Sequence, residues 1–254
     1  MAEILMELAH RTRSAVLTLD GTLDVSTHRS VRDGLLKAAT EAPDGLIADI
    51  TGLTVADDAG LSVFALVAMR LGDWPGIPFA LVTRRPSHEL LLRRAPVARY
   101  APVHPGLAEA ERGFSAPVRR RAVRALPRTD TTSALAREFV TEVCRAWGTT
   151  ELLDDARMIV TELVENTLQH TGSRPEIRVD LRRGICTIAV ADDDPRPAVL
   201  HEQLALTDPG LGLKLVAQFS RVWGCSRSWS GGKVVWATMR VPGGLPGADV
   251  LTAG

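Results

Sequence analysis

The sequence predicts two domains of different fold class, an α/β domain followed by an α+β sandwich. Strand and helix patterns alternate through the first half of the 254-residue chain, which predicts a sheet covered by helices. In the second half, two long helical patterns precede several strand patterns, which predicts helices segregated from a mostly antiparallel sheet. The predicted boundaries are 1–111 for the first domain, 112–128 for an Arg/Pro-rich linker, 129–242 for the second domain and 243–254 for a flexible tail.

Each predicted strand of the first half is followed by a predicted helix. The strand patterns are 15–21, 45–50 and 76–83, and the helical patterns are 27–40, 59–72 and 87–94. Ser26 or Thr27 is a suitable N-cap for the first helix, and Gly72 is a suitable end for the second. The run GLIADI is short and apolar, which favours a buried strand.

The second half places its helices before its strands. The helical patterns are 132–148, 151–172 and 211–220, and the strand patterns are 176–183, 185–192, 222–230 and 233–241. Gly148 and Gly172 are suitable helix ends, and Gly184 predicts a hairpin between the first two strands.

Composition excludes several broad classes. Lys+Arg and Asp+Glu are both 30, so the balanced charge gives no general attraction to nucleic acid or membrane. The arginines between Arg119 and Arg128 could meet an acidic partner or nucleic acid, but without aromatic residues among them a solvated linker is favoured. The three cysteines are far apart, and there is neither a signal-peptide pattern nor a long apolar run, so we expect a cytoplasmic protein.

The helical segment TELVENTLQH carries the first candidate site. Glu162, Asn166 and His170 follow one another at intervals of four, so they share one face of the helix. Val160, Leu163, Val164 and Leu168 gather on the opposite face. A solvated polar face is the simpler explanation if this helix is considered alone.

Two further motifs follow this helix. A strand runs directly into Asp192, Asp193 and Asp194, whose carboxylates repel one another unless they are solvated or meet a ligand; an Asp/Pro-rich turn is the simpler explanation. Gly210 and Gly212 then precede an apolar helix, where free N–H groups attract phosphate.

The order and spacing of the three motifs resemble the GHKL (Bergerat) ATP-binding fold of gyrases, histidine kinases and anti-sigma serine kinases. TELVENTLQH resembles the N-box, VADDDP resembles the box whose aspartate holds adenine, and GLGLKLV resembles the glycine lid box. The closing GGKVVWATM resembles the final strand of bacterial anti-sigma regulatory kinases. The resemblance covers about Leu126 to Val241.

The resemblance implies roles for the polar residues. Asn166 would give an amide oxygen to Mg²⁺, and Glu162 would orient or deprotonate an attacking hydroxyl or water. Asp192 would accept a hydrogen bond from the amine of adenine, which guanine lacks at that position. His170 would be a further nucleotide contact, although a histidine at a helix end more often caps or packs.

The lid and the adenine box also contain departures from the family pattern. The resemblance implies that the phosphate tail meets N–H groups of the lid at Gly210, Gly212, Leu213 and Lys214. Asp194 stands in the adenine box, where the family usually has Gly or Ser, and we count it as a nucleotide contact. Leu211 stands between the lid glycines, where close relatives often have Arg. An extra carboxylate and a missing cation both disfavour phosphate binding.

The first half, from about Glu3 to Glu111, resembles a STAS domain, the fold of anti-sigma factor antagonists. In that family a Ser or Thr at the start of a helix is phosphorylated by a partner kinase. Here the matching residues are Asp57, Asp58, Ala59 and Gly60, so the phosphoswitch is degenerate. Asp58 either mimics the phosphorylated state or caps the helix that follows.

Together the resemblances predict a bacterial regulator of the anti-sigma factor type, which uses ATP and Mg²⁺ to phosphorylate Ser or Thr of a STAS antagonist. Such a protein kinase would control transcription through a sigma factor, with the antagonist or the sigma factor as partner. The alternative is a non-catalytic, ATP-gated protein-binding module. A third interpretation makes the STAS half a scaffold for a homodimer.

Overall fold

A computed structural model describes residues 4–41, 44–94, 96–114, 119–196 and 211–242. The chain divides into two compact units, Met1–Ala116 and Pro117–Gly254. Within the described ranges, every helix is too short or too polar to cross a bilayer. The predicted tail, 243–254, lies outside the described residues.

The described part of the first unit forms a five-stranded sheet whose strands lie in chain order. The strands are β1 (Ile4–His10), β2 (Ala15–Leu23), β3 (Leu46–Val55), β4 (Phe79–Val82) and β5 (Val103–His104). β1 pairs antiparallel with β2, and the other neighbours pair in parallel. Parallel neighbours need a crossover, which the intervening helices provide.

Helices cover both faces of this sheet, as a parallel sheet requires. They are α1 (His28–Glu41), α2 (Ser62–Asp73), α3 (Pro86–Arg94) and α4 (Leu107–Arg112), with short 3₁₀ helices at Asp58–Leu61 and Pro96–Arg99. One core joins Leu35 of α1 and Phe64 of α2 to Leu17 of the sheet. On the other face, Ala110 and Phe114 pack against β2, β3 and β4. The predicted α/β class is confirmed.

The second unit sets three α-helices and a short 3₁₀ helix, Thr150–Leu152, against an antiparallel sheet in the part that the structure describes. The helices are α5 (Thr132–Trp147), α6 (Leu153–His170) and α7 (Leu211–Phe219). The strands are β6 (Arg120–Ala125), β7 (Glu176–Arg182), β8 (Ile185–Asp192), β9 (Val222–Arg227) and β10 (Lys233–Arg240). Their order is β6-β7-β8-β10-β9, with each neighbouring pair antiparallel. The predicted α+β class is confirmed.

Local sequence signals explain the ends of these elements. Gly148 ends α5 in the left-handed conformation, with φ 69° and ψ 37°. Arg183 and Gly184 both have positive φ between β7 and β8, as a tight hairpin turn requires. The apolar side of α6, which includes Ile159 and Leu163, packs into a core with the inner face of the sheet.

The interpretation of 112–128 as a linker is wrong over residues 120–125. These residues form β6, which pairs with β7 from Arg120–Leu181 to Ala125–Glu176. Arg121 donates to the Asp180 carboxylate at 2.9 Å, so an arginine of this stretch is held by the sheet rather than by solvent. The strands β1 and β5 and the helix α4 were not predicted.

Candidate functional site

Helix α6 carries Glu162 and Asn166 one turn apart, each half-buried. Both lie away from the side of the helix that buries Leu163 and Val164, because a spacing of four keeps side chains on one face. His170 is the last residue of α6, and its side chain is exposed. The helix therefore presents the predicted carboxylate and amide together, with the imidazole at the rim.

The Glu162 carboxyl has an environment suited to a base. Burial raises its pKa, and the nearby charge of Glu165 raises it further. Glu165 is itself engaged, because the Ser133 hydroxyl of α5 donates to its carboxylate. A carboxylate with a raised pKa holds a proton more readily once it has accepted one.

Helix α7 approaches α6 at Gly212. A Cβ built on Gly212 would lie 2.3 Å from Glu162 Oε2, so the absence of a side chain at 212 lets the Glu162 carboxylate lie against α7. Leu213 buries its side chain in the core, so it would meet a ligand through its main chain, and Lys214 is half-buried. Gly210, the first predicted lid glycine, lies outside the described residues, as does the side chain of Leu211.

Asp192 ends β8 in a buried position opposite Lys233 of β10. Lys233 Nζ donates to Asp192 Oδ1 at 2.8 Å, and the main-chain N–H of Asp194 donates to the same oxygen at 2.9 Å. Asp192 Oδ2 is buried without a hydrogen-bond partner among the residues described. Buried polar atoms are normally satisfied, so Oδ2 is an acceptor that lacks its donor.

The second predicted carboxylate of this loop, Asp194, is neutralised locally. Arg196 Nε donates to both of its oxygens at 3.0 Å, and this bonding holds the pKa of Asp194 well below its usual range. Arg196 also donates to the main-chain carbonyl of His170 at 3.4 Å. The pair links the end of α6 to the strand-end loop, and it reduces the repulsion that Asp194 would exert on a phosphate.

Sequence reasoning missed two residues of this site, Lys233 and Arg196. Arg196 could have been noticed, because it follows Asp194 by two residues in a loop. Lys233 is 41 positions from Asp192, and only the pairing of β8 with β10 brings the two together.

In the first unit, the degenerate phosphoswitch is a capped helix start. Asp57 Oδ1 accepts from the main-chain N–H of Ala59 at 2.9 Å, so Asp57 is the N-cap of the 3₁₀ helix that begins at Asp58. Asp57 thus occupies the N-cap position of this helix, and the Asp58 side chain, for which the sequence offers two roles, lies outside the described residues. Ala59 is exposed and Gly60 is buried.

The donors and acceptors of the second unit fit a 6-aminopurine nucleotide with a divalent cation. The open acceptor Oδ2 of Asp192 matches an amine, and Asn166 offers one amide oxygen. Among the described residues, no group of three or more His, Cys, Asp or Glu side chains is placed to hold a metal. A cation here would thus take most of its ligands from phosphates and water, as Mg²⁺ prefers.

Two family models match the chain, one in each unit. The model of the STAS domain matches residues 6–110, and that of the histidine kinase-like ATPase domain matches residues 126–239. Both agree with the resemblances found in the sequence.

Similar solved structures include an anti-sigma factor antagonist from Mycobacterium paratuberculosis, at 18% identity and a TM-score of 0.39, covering 44% of this chain and 94% of that one. A STAS domain protein from Planctomyces limnophilus matches at 15% identity and a TM-score of 0.36, covering 43% of this chain and 97% of that one. The RsbU and RsbW domains of a Mycobacterium tuberculosis protein match at 18% identity and a TM-score of 0.35. That match covers 50% of this chain and 33% of the other. No curated protein is significantly similar to the chain.

Proposed function

We propose that this chain, which joins a STAS domain to a histidine kinase-like ATPase domain, is an ATP-dependent kinase for Ser or Thr of a separate STAS antagonist. Through that antagonist it would control a sigma factor, as an anti-sigma regulator. The observation that carries the proposal is the contact between Glu162 and Gly212, which sets a candidate base against the expected phosphate-binding segment.

Nucleotide binding would use three parts of the second unit. Asp192 Oδ2 would accept a hydrogen bond from the exocyclic amine of adenine. Asn166 would provide one oxygen to Mg²⁺, and the main-chain N–H groups at the start of α7 would meet the phosphates. The pairing of Asp194 with Arg196 supports this binding. The Arg196 cation neutralises the charge of Asp194, which stands where the family usually has Gly or Ser.

Transfer needs an acceptor hydroxyl beside Glu162. ATP supplies the γ-phosphoryl group, and the partner's Ser or Thr oxygen forms the new bond to phosphorus as the bond to the β-phosphate oxygen breaks. Glu162 takes the proton of the hydroxyl, so the products are ADP and a phosphoester. The half-buried position and raised pKa of the Glu162 carboxyl support this role.

The alternative is a binding module that responds to ATP without transferring phosphate. It is favoured by Leu211, which stands where close relatives often carry a cation. In that case the nucleotide would shift the affinity of the chain for its partner, and Glu162 would have no chemical role.

Two substitutions on α6 separate these functions. Glu162→Ala should leave ATP affinity within about threefold and lower transfer to a STAS partner by about 100-fold or more. Asn166→Ala should weaken Mg²⁺-dependent ATP binding by at least about 10-fold, measured by isothermal titration. Gln169→Ala, at an exposed position of the same helix, is the matched control. If Glu162→Ala leaves control of the partner intact while Asn166→Ala abolishes it, the binding module is correct.

A further inference from the structure

Lys233, the first residue of β10, lies directly opposite Asp192, the last residue of β8. Its Nζ donates to Asp192 Oδ1 at 2.8 Å and to the main-chain carbonyl of Asp194 at 3.2 Å. The Lys233 and Asp192 side chains are 4% and 0% exposed, so water does not screen the ion pair. This buried cation has no part in the function proposed above.

The two oxygens of the Asp192 carboxylate have different surroundings. Oδ1 accepts from Lys233 and from the N–H of Asp194, which fixes the orientation of the group. Oδ2 is as buried as its neighbour, yet no donor within the described ranges reaches it. The carboxylate therefore has two donors at one oxygen and none at the other in the described part of the chain.

We propose that Lys233 is a positioning residue for base recognition, which pairs its charge with Asp192 Oδ1 and leaves Oδ2 as the one oxygen of that carboxylate without a donor among the described residues. The inference rests on the proposed function, because it takes Asp192 as the residue that meets the base. Lys233 acts through Asp192 and needs no contact with the nucleotide. The ligand it selects is a purine with an amino group at C6, since a carbonyl there would face an anion.

Without the cation, the Asp192 carboxylate would be a buried charge with no ion-pair partner, held among the described residues only by the N–H of Asp194. The Arg196 guanidinium is already paired with the Asp194 carboxylate, so it does not replace the lost cation. Burial of an unpaired carboxylate favours its neutral form. A neutral carboxyl group has an O–H donor as well as an acceptor oxygen, so it can meet a 6-carbonyl purine as well as a 6-amino purine.

The test compares ATP with inosine triphosphate, which carries a carbonyl at C6, by isothermal titration into the full chain with Mg²⁺. Wild-type protein should prefer ATP by at least about 10-fold, the worth of one hydrogen bond to a charged group. Lys233→Met should reduce this preference to about threefold or less. Lys37→Met makes the same chemical change in α1 of the other unit and should leave both affinities unchanged.

A double variant shows whether Lys233 acts through Asp192. Asp192→Asn combined with Lys233→Met should have the same ATP preference as Asp192→Asn alone, within about twofold. A Lys233→Met protein that keeps the full preference, while its affinities for both nucleotides fall by the same factor, would overturn the inference and leave the lysine a structural role. If Lys233→Met does not fold, Lys233→Gln, which keeps an N–H donor without the charge, gives the same two outcomes. Wild-type protein that binds no ATP would instead contradict the proposed function.

Discussion

Gly212 of α7 lies against the Glu162 carboxylate of α6, so that a Cβ at position 212 would fall 2.3 Å from Oε2. The same Cβ would lie 3.7 Å from the Glu162 Cβ, which confines the clash to the flexible end of the side chain. A methyl group at 212 would therefore turn the carboxylate away and leave the helices packed. This contact thus places the candidate base, Glu162, beside the start of the helix that is expected to bind phosphate.

Gly212→Ala should separate catalysis from stability. Alanine is favoured over glycine in helices by up to about 1 kcal/mol, so the free energy of unfolding should stay equal or rise. Phosphate transfer should fall by about 10-fold or more, because the base is displaced from its position. Thermal unfolding and labelled transfer on the same preparation measure both effects.

Gly72→Ala is the matched control for that substitution. Gly72 is also helical, in α2, and a Cβ there would meet no atom within 4 Å. The control should gain the same stability and keep full transfer. Equal transfer in both alanine variants would contradict the role given to the contact between Gly212 and Glu162.

Asp192→Asn should weaken ATP binding and abolish the choice between ATP and GTP. The amide can turn either its oxygen or its NH₂ toward the base, so the preference for an amine is lost. We expect ATP affinity to drop about 10- to 100-fold, measured by isothermal titration. Asp193→Asn, at the exposed neighbour, is the control and should behave as wild type. Wild-type protein with equal affinity for ATP and GTP would contradict the adenine-binding role.

The pH dependence of transfer should respond to Glu165. Glu162 must be ionised to accept a proton, so transfer is lost as the pH falls through its raised pKa. Burial is the larger cause of that rise, and the charge of Glu165 is the second. Glu165→Gln removes the second cause and still accepts from Ser133, so the acid limb of the profile should move to lower pH. Glu138→Gln, at an exposed position, is the control and should leave the acid limb in place. If Glu165→Gln also leaves it in place, Glu162 is not the titrating base.

The first unit should take up no phosphate at its degenerate switch. No hydroxyl side chain is present from Asp57 to Gly60, and Asp57 is engaged as a helix cap. Mass spectrometry after incubation with ATP should find residues 54–62 unmodified. Phosphate on Thr54 or Ser62, whose hydroxyls are the exposed ones nearby, would contradict this prediction.

Elements that bury a regular apolar pattern could be predicted from the sequence. The run 45–50 predicted β3 and the periodic segment 151–172 predicted α6, because burial and spacing agree in each. β1 and β6 were not predicted: both lie at a sheet edge with one neighbouring strand, and the neighbour of β6 is distant in the chain. The arginines of β6 indicated a solvated linker, yet the bond from Arg121 to Asp180 spans 59 positions.

The same limit applies to the candidate site. Glu162 and Asn166 follow from a spacing of four on one helix, which the sequence shows directly. The partner of Asp192 depends on strand register, because a shift of one residue between β8 and β10 would turn Lys233 to the other face. Arg196 is two residues from Asp194, so this ion pair is local in the sequence. It neutralises the extra carboxylate that, in the sequence alone, disfavours phosphate binding.

The most direct measurement is transfer of the γ-phosphate of labelled ATP to purified STAS antagonists from the same genome, with the full chain as the enzyme. The proposal predicts label on a Ser or Thr of at least one antagonist, released ADP in equal amount, and loss of both in Glu162→Gln. ATP binding without any label on an antagonist, in wild type and Glu162→Gln alike, would contradict the kinase and leave the ATP-gated binding module.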